Sequence, residues 1–163
     1  MAQDYRTTVQ DVAAQLRELH RVLITAARRQ YEQEHGPVDG SVALFRLLTT
    51  DPAFAWLGPL TSLVSDVDAL LDRPQISEVD AAAVRQETNR LLNPADGEDA
   101  TFAQQLRDAR TFAPELVTLP AHVRAGLGTL PQARADQRDA IAAARGTWGE
   151  SPTLAQRRAA RNN

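Results

Sequence analysis

The chain has 163 residues, 43% hydrophobic and 24% charged, with eight aromatic side chains and a net charge of −3. It contains no cysteine and no lysine. Those absences exclude disulfides, thiolate metal sites, cysteine nucleophiles, the P-loop lysine, the Schiff-base lysine and the ATP-binding lysine of kinases.

The length fits one domain with a core that needs no staples. Abundant alanine and leucine with few aromatics favour helix over sheet. No apolar run approaches the roughly 18 residues of a membrane span, so no membrane partner is expected. The start, MAQDYRTTVQ, lacks the apolar centre of a signal peptide, and the expected location is cytoplasmic. An arginine-only basic set fits GC-rich coding and a bacterial source.

The first element is the clearest. Val9, Val12, Leu16, Leu19 and Leu23 recur at spacings of 3, 4, 3 and 4, which is a heptad seam. Thr8 with Asp11 forms a capping pair, and Gly36-Pro37 is a strong stop. The pattern predicts one helix over residues 8–35, roughly 40 Å long. The seam is the expected docking or homodimerisation surface.

Ser41 caps a short helix, VALFRLL, ending near Thr49. The stretch DPAFAWLGPL follows at residues 51–60. Asp51 and Pro52 suit a helix start, and apolar spacing continues from Leu60 to Leu71. Pro59 removes a backbone donor, so either one helix kinks there or a short helix meets a longer one. Both arrangements turn Phe54 and Trp56 inward against the first helix. A ligand-lining role for Tyr31, Phe54 and Trp56 at the bend is the alternative.

Ser77 caps a helix reaching Leu92, whose thin apolar face predicts an outer position. Phe102 and Leu106 mark another helix from Thr101 to Phe112. Pro114 and Pro120 break up the region to Leu130. Beyond Pro131 apolar content falls. Arg134, Arg138, Arg145, Arg157, Arg158 and Arg161 face Asp136, Asp139 and Glu150, a balance of +3 that leaves −6 on residues 1–130. Within this segment ADQRDAIAAARG predicts a helix that docks on a partner. The expected architecture is an all-α bundle of five or six helices over residues 1–130 with a charged, partly disordered tail over 131–163, its last dozen residues disordered. Nucleic-acid binding is expected only through that tail, because the body is acidic and only Trp148 could stack.

Two stretches, LHRVLITAARRQYEQEHGPV and ALFRLLTTDPAFAWLGPLTSLVSDVDALLD, together resemble a group of small, uncharacterised bacterial helical proteins. Those proteins share the His-Gly-Pro-Val run and the Asp-Pro…Phe-Ala-Trp-Leu…Pro-Leu segment. The resemblance covers residues 16–72 and implies a helical bundle. It brings no activity and no site residues.

Glu32 and His35 have the carboxylate–imidazole spacing of di-iron bundles. Such sites need a second pair, and neither His20 nor His122 has a glutamate three residues before it. His35 also suits a capping role in the last turn. The run Arg28, Arg29, Tyr31, Glu32 and Glu34 reads as a solvated helix face. The sequence therefore predicts no catalytic residue and no cofactor. It predicts a non-enzymatic bundle working by protein–protein contact through the seam. The alternative is a metal- or small-ligand-binding bundle using Glu32, His35 and the pocket near Pro59.

Overall fold

Asp4 sets the start of the first helix. Its carboxylate accepts the backbone N–H of Arg6 at 3.1 Å and that of Ile76 at 3.4 Å. Helix α1 therefore runs Arg6–His35, earlier than the Thr8–Asp11 pair predicts, and Gly36 ends it at φ +83°. The structure, a computed structural model, describes residues 3–150. Among those residues the regular elements are all helical.

Helix α2 spans Gly40–Thr50, α3 Gly58–Leu71, α4 Glu78–Leu92, α5 Thr101–Ala109, α6 Leu119–Leu127 and α7 Arg138–Ala144. Short 3-10 turns occupy Pro52–Leu57, Pro114–Val117, Ala135–Gln137 and Arg145–Thr147. The described residues thus hold seven α-helices: six lie within residues 1–130, and α7 falls in the ADQRDAIAAARG stretch of the expected tail, where the sequence also predicts a helix.

The stretch 51–60 resolves as a short helix meeting a longer one. Asp51 accepts the N–H of Ala53 at 2.9 Å, capping the 3-10 helix Pro52–Leu57. Pro59 then falls in the first turn of α3, where its missing N–H has no helical partner to lose. No continuous helix has to kink. Phe54 and Leu57 are buried, while Trp56 is half-buried.

The five seam residues of α1 are 0–1% exposed. Helix α1 packs chiefly on α3 and α6 of its own chain, so the seam faces internal partners instead of a docking surface. A heptad repeat serves a closed bundle as well as a coiled coil. Full burial of each such side chain stabilises by roughly 1.5–3 kcal/mol. At Gly126 α6 comes so near α1 that a Cβ would collide with Gln15 Oε1.

Two further expectations differ. Helix α4 is central, packing on α3, α5, α6 and α7. Its Ala81, Ala82, Ala83, Val84, Thr88 and Leu92 are buried. Small side chains give little apolar signal but allow close helix approach. Residues 131–150 also pack on the bundle: Ile141 is 2% and Trp148 1% exposed. The partner on which this segment docks is α4 of the same chain. The expected disorder of the last dozen residues lies outside the described residues.

The segment Pro52–Leu71 has the length and apolarity of a membrane span, with 20 residues and a mean hydropathy of 1.2, contrary to the reading of the sequence. Within the bundle Phe54, Leu57, Leu60, Leu63, Val67 and Leu70 are buried, and 39% of the apolar window is buried in all.

Candidate ligand-binding cleft

A cleft of about 980 Å³ opens between α1, the 3-10 helix Pro52–Leu57, α3, α4 and the segment leading into α5. Its size matches small-molecule sites in general. Three aromatic rings line it: Tyr31, Trp56 and Phe102. The Trp56 and Phe102 rings lie 5.9 Å apart at 43°, a tilted pairing that the ring quadrupoles favour. Phe54 does not line the cleft. It sits beneath, with its ring 5.5 Å from that of Tyr31, and fixes that wall.

The far wall is charged. Arg145 Nε donates to Asp66 Oδ2 at 2.7 Å, its Nη1 to Glu87 Oε2 at 3.2 Å and its Nη2 to Ser62 Oγ at 3.2 Å. Arg90 pairs with Glu98 at 3.3 Å and with Glu87 at 3.7 Å. Both guanidiniums lining the cleft are therefore held by carboxylates. Asp99 accepts the N–H of Thr101 at 2.9 Å. Hydrogen bonding by Thr101, side chain first and then backbone, holds its carboxyl below the usual range. Glu34, Glu87, Glu98 and Asp99 line the cleft against Arg90 and Arg145, so carboxylates outnumber guanidiniums there by four to two.

Of the residues singled out by sequence, Tyr31, Trp56 and Pro59 meet in this cleft. Glu32 and His35 do not. Glu32 is paired with Arg28 at 2.7 Å, and Arg28 also donates to the Val38 carbonyl at 2.7 Å. The His35 Nδ1 lies 3.2 Å from the Tyr31 carbonyl, the partner of a terminal cap, and its ring stacks on Tyr31 at 4.2 Å. Among the described residues no three histidine or carboxylate side chains gather as metal ligands.

His20 lies elsewhere, beside α3. Thr61 Oγ1 donates to the Leu57 carbonyl at 3.1 Å, so it accepts from His20 Nε2 at 2.9 Å. Phe102, Glu98 and Arg145 were not foreseen as site residues. Each lies far in sequence from Trp56, and only the packing of α4 and α5 brings them together. The one available signal was the proximity of Phe102 to the polar ADGEDA loop.

No family model, curated protein or solved structure matches this chain.

Proposed function

We propose that this protein is a ligand-binding helical bundle, and that its cleft takes a small organic cation with a flat apolar body. One observation carries the reading. Trp56 and Phe102 form an aromatic wall beside an excess of carboxylates, while both lining arginines are already neutralised. An amine or guanidinium can pair with the carboxylates while the rings cover its apolar part. A cation over an aromatic face gains roughly 0.5–2 kcal/mol.

The test is a matched pair of probes followed by tryptophan fluorescence. Trp56 lines the cleft and is half-buried, whereas Trp148 is 1% exposed and does not line it. Phenethylamine should change the emission with saturation and bind at least tenfold more tightly than 3-phenylpropanoate. Phe102→Ala should weaken the amine. Equal or tighter binding of the acid would overturn the reading.

A second reading is homodimerisation. With the α1 seam turned inward, it rests on α2, whose Val42 is 73% and Phe45 67% exposed. These residues share one face at helical spacing, and α2 contributes no fully buried side chain. Light scattering should then show a dimer that Phe45→Asp converts to a monomer. A wild-type chain that stays monomeric at high concentration would exclude it.

A further inference from the structure

Helix α4 carries a second recess on the side away from the cleft. Glu87, Arg90 and Leu91 face the cleft, whereas Arg85, Gln86 and Asn89 face this recess of about 360 Å³. Helix α6 closes it with Arg124, and the following loop adds Gln132.

The electrostatics are the reverse of those in the cleft. No carboxylate lines the recess. The chain has no aspartate or glutamate between Glu115 and Asp136, so the α6 wall and its loop are free of acid in sequence as well. Neither Arg85 nor Arg124 belongs to an ion pair among the described residues. The nearby Glu78 is engaged by Arg134 and Gln137.

Both guanidiniums are nevertheless fixed in place. Arg85 Nη1 donates to the Leu130 carbonyl at 2.7 Å, and Arg124 Nη2 donates to Asn93 Oδ1 at 3.1 Å. A guanidinium has about five N–H donors, so one anchoring bond leaves most of them available. Arg85 is half-buried, which strengthens its attraction for an anion relative to bulk water. Two oriented forks of this kind match the oxygens of a phosphate or carboxylate, and the amides of Gln86, Asn89 and Gln132 supply further donors.

We infer that this recess is a binding site for a small oxyanion, the phosphate or carboxylate group of a small molecule, held between Arg85 and Arg124. It is separate from the cleft and does not depend on the reading given for it.

The arginine Nε–H signals in a ¹H–¹⁵N spectrum test this directly. Inorganic phosphate and succinate are titrated separately, each against sodium chloride at matched ionic strength. Saturable movement of the Arg85 and Arg124 signals with either anion supports the site, and the stronger of the two names the group. Asn89→Asp places a negative charge in the recess without changing side-chain size, and Arg124→Gln removes one fork at an exposed position. Each should weaken binding at least tenfold while the backbone amide spectrum stays otherwise unchanged. Shifts that never saturate, that equal those with chloride, or that spread over all arginines would overturn the site.

Discussion

Trp148 Nε1 donates to Asp80 Oδ1 at 3.0 Å. The other oxygen of Asp80 accepts from the Ser77 backbone and hydroxyl, completing the capping box of α4. The last described turn is thus fastened to the start of the central helix. Arg73 adds a bond to the Thr147 carbonyl at 2.6 Å. Trp148→Ala removes a nearly inaccessible indole and leaves a cavity beside α4. It should cost about 3–5 kcal/mol, measured by urea unfolding. A cost below about 1 kcal/mol, the scale of surface changes, would show that residues 138–150 are an appendage.

Thr88 is 0% exposed, and its Oγ1 has no hydrogen-bond partner among the described residues. A buried hydroxyl without a partner carries a desolvation penalty. Thr88→Val keeps the shape and removes that penalty. Stability should rise by about 1 kcal/mol. A loss in the thermal or urea midpoint would mean the hydroxyl is satisfied.

Arg145 joins α3 to α4 through Asp66 and Glu87, with side-chain exposures of 27%, 36% and 21% respectively. Partial burial makes these bonds stronger than surface pairs, though solvent still screens them. Arg145→Met should destabilise by about 1–2 kcal/mol. Combined with Glu87→Gln, it should cost less than the sum of the single changes. Strict additivity in the double-mutant cycle would show that the two side chains act independently.

Burial lowers the pKa of His20 below the ordinary value of 6.5. The unfolded chain therefore takes up this proton before the folded one does. Stability rises with pH where the unfolded state binds more protons, so the His20 contribution is complete above 6.5 and declines as pH falls below it. Unfolding curves at neutral and mildly acidic pH should show a loss for the wild type that is smaller in His20→Gln. An identical loss in both would assign it to other groups.

The elements with strong local signals were legible in the sequence. The spacing from Val9 to Leu23, the Gly36-Pro37 stop and the Asp51-Pro52 start correspond to observed features. What the heptad spacing could not tell is whether its partner lay in the same chain. Helix α4 was misplaced because alanine contributes little to an apolar pattern while suiting a crowded centre. Residues 138–150 read as tail because Ile141 and Trp148 stand isolated among charges. The cleft was half legible: Tyr31, Trp56 and Pro59 were in view, but Phe102, Glu98 and Arg145 join them only through tertiary packing.

The central claim, that the cleft binds an aromatic cation, is tested most directly by mapping where phenethylamine binds in a ¹H–¹⁵N spectrum. The Trp56 indole N–H and the amides of Asp99, Thr101 and Phe102 should move together with one saturation curve, while the Trp148 indole stays in place. A Trp56 signal that does not move, or a response confined to Val42 and Phe45 on α2, would contradict it.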